Sequence, residues 1–145
     1  MTELRTVNLQ AGVEEAIARH GEEGYPGEAC GLLLGRVEEG LVTVVEAVRG
    51  RNVCEKGREG DRYVVEPRDV LSAMKEAEKA GMEVVGVYHS HPDHPAAASR
   101  TDAELAWEGW AYVIVSVVRG KAGEIAAWAL RGGGAMEPVG LVSWS

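Results

Sequence analysis

The run Val84-Val85-Gly86-Val87-Tyr88 passes directly into His89-Ser90-His91-Pro92, and no other stretch constrains the chain so tightly. Read as a strand, it alternates its side chains between faces, so His89 and His91 point the same way from its last residues and can grip one ion. Pro92 then ends the pairing, because it has no amide hydrogen to donate. After a short loop, Ser99-Arg100-Thr101-Asp102 can return a carboxylate to the same point. Two imidazoles and one carboxylate form the ligand set of a catalytic zinc site with one position open.

The rest of the chain supplies the layers such a strand needs. Thr6 to Leu9 reads as a short strand. Ala11 to His20 reads as a helix with Val13, Ala16, Ile17 and His20 at helical spacing, broken by the cluster from Gly21 to Gly27. Glu28 leads into an apolar strand reaching about Val37, Glu38-Glu39-Gly40 turns it, and Leu41 to Val48 returns. Residues 50 to 62 are polar and glycine-containing, a surface loop, and Tyr63 to Glu66 is a short strand at most. Pro67 opens a helix whose buried face is expected at Val70, Leu71, Met74 and Ala77 before Gly81 stops it.

Ser99 opens a second long helix, with Ala103, Ala106, Trp107 and Trp110 on its apolar side. Ala111 to Val118 is apolar almost throughout, as in a central strand. Glu124 to Leu130 is its hairpin partner, and Val139 to Trp144 an edge strand. The sum is one α+β (mixed α/β) domain over 1–145, a central mixed sheet flanked by two or three helices.

Composition narrows the partners. Lys plus Arg number 15 against 23 Asp plus Glu, a formal charge of −8, which does not advertise the basic face that nucleic acid requires. The start of the chain lacks the apolar core of a secretory signal, and no apolar run is long enough to span a bilayer, so a soluble cytoplasmic protein is expected. Cys30 and Cys54 stand in no zinc-ribbon spacing and are expected as reduced thiols, with a disulfide between them left open.

A hydrolytic ion needs a base, since the attacking water must lose protons, and Glu28 is a candidate where a glycine-flanked loop enters an apolar strand. Position alone does not select it from 23 acids. The combination does. Glu28 ahead of Cys30-Gly31-Leu32-Leu33-Leu34-Gly35, then His89-Ser90-His91-Pro92, six residues, and Ser99-x-x-Asp102, resembles the JAMM (MPN+) metalloprotease family.

The resemblance spans nearly the whole chain. It implies an MPN/JAB-like fold in the three-layer style of cytidine deaminases, and one catalytic Zn2+ on His89, His91 and Asp102. Glu28 would then be the general base and proton shuttle, with Ser99 holding the oxyanion. It further implies cleavage after the carboxy-terminal Gly-Gly of a ubiquitin-like or sulfur-carrier protein, of the small prokaryotic type. A homo-oligomer is compatible with it.

Two other readings fit part of the pattern. Two histidines and a carboxylate also describe an iron(II) oxygenase site, and an MPN-type module can bind without catalysing, although the intact residue set argues against that. His94 reads as a polar loop-tip residue, Cys30 as a small buried group, and Trp107 and Trp110 as core. Leu130-Arg131-Gly132-Gly133, which resembles the tail of ubiquitin, reads as a hairpin end.

Overall fold

The structure is a computed structural model that describes residues 3–54 and 63–144. Seven strands and three helices follow in the order β1 (Thr6–Leu9), α1 (Val13–Gly24), β2 (Cys30–Glu38), β3 (Leu41–Gly50), α2 (Pro67–Lys79), β4 (Glu83–Pro92), α3 (Arg100–Leu105), β5 (Ala111–Val118), β6 (Lys121–Leu130) and β7 (Met136–Ser143). The sheet is mixed: β4 runs parallel to β5, and β1 runs parallel to both β3 and β7.

That last pair of contacts corrects the expected architecture. The sheet closes in the order β1-β3-β2-β4-β5-β6-β7, where a central mixed sheet flanked by two or three helices was expected. Val139 to Trp144 was expected at an edge, but β7 has β6 on one side and β1 on the other. The layering survives locally. One buried cluster joins α1 to Val7, Leu33, Val85, Tyr88 and Val113, and a second joins α2 to Leu32, Leu34, Val84, Val87 and Tyr112. The strands β2, β4 and β5 are therefore covered on both faces, which is why β4 and β5 are apolar without alternation.

The first helix outruns its expected end. Gly21 does not break it: the helix continues past the position, where a Cβ would stand a tight 3.0 Å from Val117 Cγ2 and 3.3 Å from Ser90 Cβ. Glycine here lets α1 lie close on the sheet beside the histidine strand. The second helix starts at Pro67 as expected, but Leu71 and Met74 are exposed and the buried positions are Ala73 and Ala77. Small residues let α2 approach, and the larger apolar ones lie on its flank.

The helix after Ser99 is the largest departure. It ends at Leu105 after six residues, and Trp107, expected in the core, is 70 % exposed and stacked on Trp110 with ring centroids 5.9 Å apart. The hairpin turns are as expected: Glu39-Gly40 and Arg119-Gly120 each take two positive φ angles, the form that suits a two-residue hairpin loop. Residues 131–134 also form a hairpin end, where the Arg131 side chain donates to Leu4 O. Of the loop expected over 50–62, residues 55–62 lie outside the described residues; Asn52 bridges to Val65 across it. Among the described residues no helix is long and apolar enough to cross a membrane.

One irregularity aims the histidines. In the β2–β4 ladder Leu33 faces Gly86 but Leu34 faces Val84, so Val85 is an extra residue on β4. Such a bulge reverses the alternation downstream. Val85 belongs to the α1 cluster, whereas Val87 belongs to the α2 cluster. His89 and His91 continue the Val87 side, and Tyr88 and Ser90 face α1. Without the bulge the two imidazoles would point into the α1 core.

Candidate metal centre

His89 and His91 leave the end of β4 on one face, with their Nε2 atoms 3.2 Å apart. Asp102, in the first turn of α3, closes the triangle: Oδ1 lies 3.2 Å from His89 Nε2 and Oδ2 3.1 Å from His91 Nε2. Four donors held at 2.0–2.1 Å in a tetrahedron stand about 3.3 Å from one another, so this spacing suits one face of such a site. Glu28 enters from the segment just before β2. Together with His89 and His91 it forms a buried group whose ligand atoms all lie within 4.8 Å of one another and could hold a metal ion.

Each imidazole is oriented differently. His91 Nδ1 is 2.8 Å from Pro95 O, which can only accept, so the proton sits on Nδ1 and the Nε2 lone pair faces the site. His89 is fixed by its ring, stacked on Tyr63 at 4.3 Å between centroids with 22° between planes. Burial pushes the His89 pKa down despite the carboxylate beside it. His91 is pushed down by its lesser burial, but the Asp102 carboxylate and Pro95 O outweigh that and raise it overall. For Asp102, burial acts upward, yet the two imidazoles facing it and the hydrogen bond from Ser99 N hold its carboxyl well below the usual range.

The turn that delivers Asp102 is a capping box. Ser99 Oγ accepts from Asp102 N at 3.0 Å, and Asp102 Oδ2 accepts from Ser99 N at 2.9 Å. The preceding loop is tied down along its length. Asp93 accepts from Arg119 N and from the Tyr25 hydroxyl, Ser116 donates to His94 O, and Ala96 is held at N by Glu124 and at O by the Trp128 indole. The cleft outside is lined by Glu28, His91, His94, Pro95, Ser99 and Thr101.

Of the five residues singled out in the sequence, His89 and His91 face Asp102 and also group with Glu28, and Ser99 lines the cleft beside them. Cys30 is packed beside Leu32 and Tyr63, and burial pushes its thiol up to about 12, so it stays protonated and cannot serve as a nucleophile. Cys30 and Cys54 are both free. Tyr63, Asn52 and Ser90 were not singled out. Only Ser90 carried a signal, as a hydroxyl where alternation points into the core.

A family model described as prokaryotic homologs of the JAB domain matches residues 10–131. The chain is 36 % identical over 121 residues to the desampylase of Haloferax volcanii, covering 80 % of this chain and 84 % of the relative. It is 33 % identical over 109 residues to the CysO-cysteine peptidase of Mycobacterium tuberculosis, covering 74 % and 71 %. In fold it is similar to AF2198 of Archaeoglobus fulgidus, a JAB1/MPN domain protein, with a TM-score of 0.59 at 18 % identity over 96 % of this chain and 97 % of that one.

Proposed function

The chain belongs to the prokaryotic homologs of the JAB domain, and from that premise we propose that it is a zinc-dependent peptidase. It hydrolyses the peptide or isopeptide bond after the carboxy-terminal Gly-Gly of a ubiquitin-like or sulfur-carrier protein. The observation that carries this reading is the triangle of His89, His91 and Asp102 at 3.1–3.2 Å with the Glu28 carboxyl beside it. Relatives named desampylase and CysO-cysteine peptidase support the substrate class.

The ligand set fits a zinc ion, with His89 and His91 through Nε2 and Asp102 through its carboxylate. When bound, the ion polarises the scissile carbonyl and lowers the pKa of water to roughly 7. Glu28, 6 % exposed at the inner end of the cleft, takes the proton from water and delivers it to the departing amine. Ser99 Oγ already accepts from the Asp102 amide, so its own hydrogen remains to donate toward the developing oxyanion. Pro95 O keeps the His91 proton on Nδ1 throughout, away from the reaction. An oxygenase would use the same two histidines and carboxylate but has no use for a carboxyl base placed beside them.

The test is intact mass spectrometry of a Gly-Gly-terminated sulfur carrier bearing a short carboxy-terminal extension, and of a ubiquitin isopeptide dimer, incubated with the protein. Release of a product ending in Gly-Gly, abolished by chelator, is expected from at least one. Cleavage elsewhere, or cleavage indifferent to chelator, would refute the reading.

A further inference from the structure

The peptide unit joining Glu28 to Ala29 is held at both of its polar ends by side chains. Its carbonyl oxygen accepts from Asn52 Nδ2 at 3.0 Å, and its N–H donates to Ser90 Oγ at 2.8 Å. This is the point where the sheet runs out of backbone partners for β2, because the ladders to β3 and β4 both end at Cys30, opposite Gly50 and His89. Beyond it, Ser90 N still donates to Ala29 O at 3.0 Å. The two side chains thus take over from the ladder where the chain must leave the sheet and send a carboxyl toward the cleft.

Both holders are themselves fixed. Ser90 is 1 % exposed, sits between the two histidines in sequence, and faces α1, so the strand end that presents the imidazoles also grips Ala29. Asn52 Oδ1 accepts from Cys54 N and Val64 N, each at 3.0 Å, which orients the amide so that Nδ2 meets Glu28 O. A peptide plane gripped at both ends cannot turn about the Glu28 ψ angle without breaking a buried hydrogen bond. That angle decides where the Glu28 side chain lies relative to β4.

We propose that Asn52 and Ser90 are positioning residues for Glu28, setting the geometry of proton transfer while holding neither metal nor substrate. The inference rests on Glu28 being the general base. Asn52→Asp keeps an oxygen to accept from Cys54 N and Val64 N, and replaces the donor to Glu28 O with a carboxylate oxygen; Ser90→Ala removes the acceptor for Ala29 N–H. Should Ser90→Ala fail to fold, Asn52→Asp carries the test alone.

On the full chain loaded with metal, each variant is expected to lower kcat roughly 10- to 100-fold, the scale of a misplacement of about 1 Å, with KM and metal content unchanged. In the Glu28→Ala background the same changes should leave the residual rate unaltered. A readout free of metal and turnover is amide exchange at Ala29, followed by NMR in the apo protein: slow in the parent, faster in both variants. Wild-type kcat in Asn52→Asp with Glu28→Ala inactive would overturn the positioning role alone. An active Glu28→Ala would overturn the base assignment and this inference with it. Equal losses with and without Glu28, or loss of metal, would show that the two residues act elsewhere.

Discussion

Glu28→Ala is expected to lower kcat by about 10²- to 10⁴-fold, the usual worth of a general base, and to leave the metal in place. The separation follows from the roles proposed for the two carboxylates. His89, His91 and Asp102 stand 3.1–3.2 Å from one another, whereas Glu28, just before β2, reaches within 4.8 Å of the two imidazoles. Removing its carboxyl takes away the proton carrier and leaves every imidazole contact intact. KM should change little, since the loss falls on the chemical step. Metal content by atomic spectroscopy, measured on the same sample as kcat, checks it. Zinc loss as complete as in His91→Ala would mean that Glu28 is a ligand and the base is some other group.

Asp102→Asn is expected to do the opposite and lose metal and activity together. The amide keeps an oxygen to accept from Ser99 N, so the capping box and the start of α3 remain. What disappears is the negative charge facing two imidazoles in a buried site. Changes in the groups that merely orient ligands cost about 10- to 100-fold in metal affinity, and loss of a ligand charge should exceed that. Competition with a chromogenic chelator gives the affinity, and far-ultraviolet circular dichroism shows whether the fold persists. An unchanged zinc affinity would remove Asp102 from the ligand set.

The two variants probe parts of the site that were unequally legible in sequence. His89 and His91 could be paired from local alternation, and Ser99 with Asp102 from the spacing of a helix cap, because both signals depend on near neighbours in the chain. Glu28 could be chosen only by resemblance, since nothing within a few residues distinguishes it from other acids; its meaning comes from the β2–β4 pairing across 61 residues that places Ala29 against Ser90.

The same reason hid other features. The bulge at Val85 decides which face the histidines take, yet it is a property of the β2–β4 register, and the apolar run marks it with no more than the neighbouring Gly86. Closure of the sheet depends on β1 meeting both β3 and β7, contacts between distant segments. The third helix reads as long because Ala103, Ala106, Trp107 and Trp110 keep helical spacing. In the structure Ala106 leaves the helix, and Tyr112 accepts from the Trp107 amide with its hydroxyl at 2.7 Å. A tertiary hydrogen bond there replaces the next helical one.

The most direct measurement of the central claim joins metal identity to the source of the reaction's oxygen. The natively purified protein is analysed for metals, then made to cleave a tail-extended Gly-Gly carrier under anaerobic conditions in water enriched in oxygen-18. A zinc-loaded site, full activity without dioxygen, and one heavy oxygen in the new Gly-Gly carboxylate are the predicted result. Iron in the site, or turnover that stops when dioxygen is removed, would contradict it.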